Sequence, residues 1–343
     1  MKTALFATLV LGSAFAAKAA TPPTPLFASD APLKISIRGP VNAIARSAER
    51  SPAARDATMM LAGSPNSYAI RLSPRGITRR RKETCQFPPL RVDLVQPAPA
   101  TSLLAGQKRL KLVTHCRASP GFQQHLLLEL AAYRMFNLIS PYSYRARLAE
   151  VDYIEPDGRP LVTRYGFFIE DTDDMARRNG LKEARTGDRV PSVQLDPRQA
   201  GRVAMFQYMI GNLDWSMRAG PQGEGCCHNG RLLSGNGPYY TPVPYDFDYS
   251  GLVDAPYAVP PDGFKISNVK SRVYQGYCRH SAEALTAARE MRAQRPAIEA
   301  VLSQVPGMDG RTRGKALGYL ARFFEDIATD ASVQAKVLKS CVG

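Results

Sequence analysis

The chain has 343 residues, 44% of them apolar, and carries 45 Lys and Arg against 30 Asp and Glu, a formal charge of +15. That length and apolar share are ordinary for a globular fold of one large domain or two smaller ones. The charge favours anionic partners such as nucleotides, phosphorylated polymers or acidic proteins. The absence of any recognised nucleic-acid-binding motif argues against DNA and RNA.

Met1 and Lys2, the apolar run Ala4–Val10 and the small residues Gly12–Ala17 read as a secretory leader. Ala17-Lys18-Ala19 fits the small-x-small cleavage rule, which assigns residues 1–19 to the leader and starts the mature chain at Ala20 or Thr21. The apolar stretch is shorter than the ~20 residues a spanning helix needs, and no later segment approaches that length. The expected product is periplasmic or secreted and not an integral membrane protein. Six cysteines, Cys85, Cys116, Cys226, Cys227, Cys278 and Cys341, form an even set suited to an oxidising compartment and predict up to three disulfides. Zinc at Cys226-Cys227-His228 is disfavoured because adjacent cysteines lack the C-x2-C spacing that lets two thiolates reach one metal.

Residues 20–32, rich in Pro, Ala and Thr, read as a disordered tether. Leu33–Ile37 alternates as a strand, and Arg46–Thr58 reads as a surface insertion with little fixed structure. Tyr68–Leu72, Leu90–Leu94 and Leu110–Val113 predict an antiparallel meander. Cys85 precedes the second of these strands and Cys116 follows the third. Antiparallel pairing makes the two neighbours and predicts their disulfide. Vicinal Cys226 and Cys227 are expected to take distant partners instead of each other. Apolar residues at helical spacing mark Gln123–Ile139 as a helix, followed by strands Arg145–Ile154 and Arg164–Ile169. Beyond Asp196, Pro197–Ile210, Ser281–Leu302 and Arg311–Ala335 read as helices. Strands with one helix, then mostly helices, suggest an α+β chain of two unlike lobes, residues 33–170 and 171–343, meeting at a cleft.

Three elements can carry chemistry. Lys111 sits on a strand between Leu110 and Leu112 and points to the opposite face from them. Glu129 is the one acid on the following helix, which makes it the expected ion-pair partner of Lys111. Two acidic loops, Asn212-Leu213-Asp214 and Tyr245-Asp246-Phe247-Asp248, flank His228-Asn229 and offer oxygen ligands for Mg or Mn. A basic run, Arg79-Arg80-Arg81-Lys82, reads most simply as a solvated loop.

In that order these segments, with Tyr165–Glu170 between them, resemble the CotH-type secreted protein-kinase-like family over residues 33 to 255. The resemblance implies a two-lobed kinase-like fold, with an antiparallel-sheet N-lobe and a helical C-lobe. It implies ATP as phosphate donor, with Lys111 on its phosphates and paired with Glu129, and Glu170 in the adenine hinge. Asp214 would orient or deprotonate the acceptor hydroxyl, and Asp246, Asn229 and Asp248 would hold Mg or Mn. No G-x-G-x-x-G loop precedes Lys111, so arginines from Arg75 to Lys82, Arg79 among them, would cover the phosphates. Asp214 and Asn229 stand 15 positions apart, so the segment between them must loop out. The implied activity is phosphate transfer to Ser or Thr hydroxyls of an envelope protein. A catalytically inactive binding scaffold is the first alternative. A glycosyltransferase using Asp246-Phe247-Asp248 as a D-x-D motif is the second, disfavoured by the lack of alternating β-α units.

Overall fold

Seven strands in the N-terminal half alternate apolar and polar side chains, and in the computed structural model, which describes residues 21–235 and 237–343, they close into a barrel. The predicted leader lies outside the described residues. The strands are β1 (Leu33–Arg38), β2 (Arg55–Leu61), β3 (Ser67–Pro74), β4 (Leu90–Leu94), β5 (Arg109–Val113), β6 (Ala146–Ile154) and β7 (Pro160–Ile169), neighbouring one another in the order β1-β2-β3-β4-β5-β7-β6. Every pairing is antiparallel except the seam, where β1 runs parallel to β6 from Leu33 opposite Ala149 to Arg38 opposite Ile154.

This closure corrects the expected kinase-like fold with an open antiparallel N-terminal sheet. The meander β3 to β5 is as expected, and β2 extends it. The local pattern of β1 is satisfied equally by one neighbour or two, and nothing in it names a parallel partner more than a hundred residues away. Inward positions of consecutive strands, Ile35, Ile37, Ile70, Leu72, Leu90, Val92, Leu110, Leu112, Val151, Tyr153 and Phe168, fill a core of their own. Closure also leaves no unpaired edge on this sheet.

Two further expectations in this half are corrected. The supposed tether packs: Leu26 and Phe27 are buried in the barrel core, and Arg147 donates to the carbonyls of Leu26 and Ala31. Two apolar side chains and an arginine clamp are enough to order a segment whose composition looks loose. Within 46–58, helix α1 (Val41–Ser47) ends and β2 begins, so only a short stretch lies outside regular structure; Val41 and Ile44 join the same core.

Helix α2 (Gln123–Ile139) has the bounds the sequence predicts. It packs on the outer face of β6 and β7, where Ala146, Leu148, Phe167 and Ile169 point away from the barrel interior, and its other faces meet the later helices. After α3 (Thr172–Arg178) and the short strand β8 (Lys182–Glu183) comes α4 (Pro197–Ile210). Its start is capped by Asp196, whose carboxylate accepts from the Gln199 N–H. Its end is set by Gly211 in the left-handed region, φ 63°, where a Cβ would run into the Tyr319 hydroxyl. Strands β9 (Gly230–Ser234) and β10 (Thr241–Pro244) form a three-stranded sheet with β8. Pro296 breaks the long predicted helix into α5 (Ser281–Ala293) and α6 (Arg295–Gln304). Helix α7 (Gly310–Asp326) is N-capped by Asp309, and a short α8 (Asp330–Ser332) follows.

Three disulfides tie this frame. Cys85–Cys116, with Cα atoms 4.6 Å apart, is the predicted bridge between the start of β4 and the end of β5. Cys278–Cys341 fastens the C-terminus beside Tyr277. The third joins Cys226 to Cys227, which overturns the expectation that each takes a distant partner. With Cys278 and Cys341 bonded to each other, their Cα atoms 4.9 Å apart, no other thiol remains for them. Among the described residues no helix is long and apolar enough to cross a membrane.

Candidate functional site

The first acidic loop is made by the end of α4. Gly211 turns the chain, and the Asn212 side chain accepts from the Asp214 N–H at 3.0 Å. Trp215 donates its indole N–H to the Asn212 carbonyl. Asp214 is then gripped from the other side of the excursion 216–227. Asn229 donates its amide to the Asp214 carbonyl at 2.7 Å and to Oδ2 at 2.9 Å, and His228 Nε2 lies 2.7 Å from Oδ1. The hydrogen bond to Asp214 raises the His228 pKa above its ordinary value, against partial burial. Backbone bonds from Ser216 to the His228 carbonyl and from His228 to the Ala219 carbonyl close the excursion. The Asp188 carboxylate accepts from the N–H groups of Gly223 and Gly225 and holds its tip.

The second loop is aimed by a core aromatic. Phe247 is fully buried, packed against Tyr133 of α2 and Phe206 of α4, which turns the flanking Asp246 and Asp248 toward α2. Asp246 adopts φ 64°, a left-handed conformation uncommon outside glycine, and its N–H donates to the Tyr133 hydroxyl. Asp248 is buried and accepts from the Tyr257 hydroxyl at 2.9 Å. Glu129, one turn before Tyr133, comes to the same place. Carboxylate oxygens of Glu129, Asp246 and Asp248 lie within 4.8 Å of one another, so this acidic triad can hold a metal ion.

A side chain from the barrel fills the triad. Between β3 and β4 the chain leaves the sheet, and Arg79 reaches back to Glu129 at 3.2 Å, Asp246 at 2.8 Å and Asp248 at 3.3 Å. Burial opposes the Arg79 charge, but Asp248, Glu129 and Asp246 outweigh it and hold the guanidinium charged well above its ordinary value. Burial pushes the Glu129 carboxyl up to about 7 and the Asp248 carboxyl well above the usual carboxylate range, with Arg79 working against both shifts.

Asp246 and Asp248 of the triad face one cleft of about 300 Å³ together with Asp214, His228, Asn229, Arg231 and Tyr245, and Arg75–Arg79 line its other side; Glu129 is outside this lining. Arg75 lines it and has no carboxylate within ion-pair distance among the described residues; burial lowers its pKa, partly offset by Asp246. Lys111 stands near Arg75 and Arg231, 5.8 Å over the Tyr144 ring, and burial, then Arg75, lowers its pKa.

The structure therefore gathers Asp214, Asn229, Asp246, Asp248, Glu129 and Arg79 in one place. The expected Lys111–Glu129 ion pair does not form. Lys111 is on the outer face of β5, opposite the barrel-facing leucines, but Glu129 is taken by the longer Arg79, whose planar fork meets three carboxylates at once. Asn229 serves Asp214, and Glu129 takes the third acidic position of the triad. Glu170 is fully buried outside the cleft lining, its carboxylate held by Arg178 at 3.0 Å and by the Arg145 N–H. Its oxygens are committed to fastening α3 to β6. Sequence reasoning missed the fit of Arg79 into the triad and the His228–Asp214 bond. The one available signal was the position of a basic run beside a turn, Arg75-Gly76.

No family model matches the chain, and no curated protein matches it.

Proposed function

We propose that the cleft binds a nucleoside triphosphate, ATP in the first instance, and transfers its terminal phosphoryl group to a Ser or Thr hydroxyl of a protein acceptor outside the cytoplasm. The observation that carries this reading is the placement of Asp214 in the same cleft as Arg75 and two acids of the triad, Asp246 and Asp248. Phosphoryl transfer asks little covalent chemistry of the protein. It needs a base or orienting group at the acceptor oxygen and positive charge around the phosphates. Asp214, fixed by Asn229 and His228, takes the acceptor hydroxyl's proton as the new P–O bond forms and the bond to the diphosphate breaks. Arg75 meets the phosphate oxygens, and Lys111, near it but outside the cleft lining, adds positive charge. Glu129, Asp246 and Asp248 would hold a divalent ion, Mg or Mn, which when bound offsets the charge of the triphosphate. Export fits the three disulfides and the predicted leader.

The test is incubation of the mature protein with terminally labelled ATP and Mn or Mg, alone and with an envelope extract. Label should reach protein in wild type and not in Asp246→Ala. Absence of label in wild type overturns the reading. A second reading, a nucleotide-binding scaffold without turnover, is favoured by Arg79, whose guanidinium already occupies the triad. Nucleotide binding with no label transfer would select it.

A further inference from the structure

Arg79 meets a demand for positive charge that it does not fill. One guanidinium faces three carboxylates, and the shortfall is visible on the acids. Glu129 is 2% exposed, and its Oε1 is buried with no hydrogen-bond partner among the described residues. An orphaned, buried carboxylate oxygen is costly unless a cation or donor comes to it. The three acids are spaced to surround one small hard cation, which takes carboxylate oxygens directly.

The segment that carries Arg79 is fixed at its ends and lightly held between them. Arg75 donates its backbone N–H to the Pro89 carbonyl, and the Arg81 carbonyl accepts from Cys85, which is locked to Cys116. Between these points no side chain of Ile77–Arg80 enters either apolar core, and Ile77 is 76% exposed. Apart from Arg79 itself, the side-chain bonds that hold it run from Arg80 to the Ala48 and Glu49 carbonyls. A turn with polar tethers and no apolar anchor opens at low free-energy cost.

We propose that Glu129, Asp246 and Asp248 form a divalent-cation site for which Arg79 is the built-in competitor, so that the ion enters only as Arg79 swings out of the triad into the cleft. The inference deepens the phosphotransfer reading, in which the released guanidinium joins Arg75 against the phosphates; its metal-binding content stands apart from that reading. Arg79 thus couples arrival of the ion to rearrangement of the phosphate-facing wall.

The experiment uses Mn²⁺ alone with the mature chain, reading free Mn²⁺ by electron paramagnetic resonance and folding by circular dichroism. Arg79→Ala should bind Mn²⁺ at least about tenfold more tightly than wild type, and Mn²⁺ should raise its Tm more than that of wild type. Folding of Arg79→Ala only when Mn²⁺ is present gives the same answer, because the ion replaces the lost charge. A folded Arg79→Ala that binds Mn²⁺ no better than wild type overturns the proposal. If that variant folds under neither condition, Arg79→Lys decides: tighter Mn²⁺ binding than wild type supports the competition, and equal binding or failure to fold overturns it. Tighter Mn²⁺ binding by the variant without label transfer by wild type would keep the competition and discard phosphotransfer. The reverse pair of results would do the opposite.

Discussion

At Asp214 both carboxylate oxygens already have partners, Asn229 on one and His228 on the other. A carboxylate held this way keeps its orientation when a hydroxyl approaches, so Asp214→Asn should lower phosphate transfer by roughly 10²–10⁴-fold while leaving nucleotide binding in place. A transfer assay paired with nucleotide titration checks both, and equal loss of binding would reassign Asp214 to ligand contact. A second residue-scale prediction concerns His115, which is 3% exposed beside Phe87 and Tyr153, with its Nδ1 unpartnered. Burial, and then Arg164, lower its pKa from 6.5 to about 4. Between those values the unfolded chain binds more protons, so this group's stabilisation is present above 6.5 and lost as pH falls toward about 4. The loss is on the order of 3 kcal/mol. Denaturant unfolding across that range should show a shallower acid slope for His115→Phe than for wild type. At this scale the sequence named Asp214, Asn229, Asp246 and Asp248 of the cleft, because acids and amides in polar loops stand out. It did not name their partners. Whether Glu129 meets Lys111 or Arg79 depends on which side chain reaches across the space between sheet and helix, and spacing along the chain carries no such distance.

Among the elements, the segment between β3 and β4 gains its definition from a covalent tie. Cys85–Cys116 spans a sequence separation of 31 and sits at the end of the turn carrying Arg79. Replacing both cysteines by serine should cost roughly 3–4 kcal/mol on the loop-entropy account. Amide exchange should quicken first in residues 76–85, because the turn loses its fixed end. Uniform exchange across the barrel would show instead that the bridge holds the sheet as a whole. Most elements were legible locally. Helix α2 has clean apolar spacing, and β4 and β5 alternate without interruption. The pairing of Cys226 with Cys227 was not legible, because it depends on Cys278 and Cys341 meeting each other across a sequence separation of 63. Burial of Leu26 and Phe27 was hidden by the prolines around them, and the arginines that secure that segment, Arg134 and Arg147, come from α2 and β6.

For the whole molecule, the barrel and the helical half hold separate apolar cores, and the outer face of β6 and β7 is the sheet side of the second. The architecture of the first was not foreseen, because barrel closure is a relation between the beginning of the chain and its middle. Residues 21–38 are therefore integral to the fold. Their deletion should open the seam, expose edges on β2 and β6 and bring concentration-dependent association, measurable by size-exclusion chromatography with light scattering. A monodisperse truncated chain with unchanged Tm would show that β1 is dispensable.

The parallel seam also sets a timetable. A chain emerging from its N-terminus can pair β1 to β5 at once, each with a near neighbour, but the other side of β1 must wait for β6, and β7 must then fill the gap beside β5. Contacts between distant parts of a chain form slowly. Until residue 169 is available the nascent molecule is thus an incomplete sheet with open sides, and the interval before closure is when it most needs protection from its own kind.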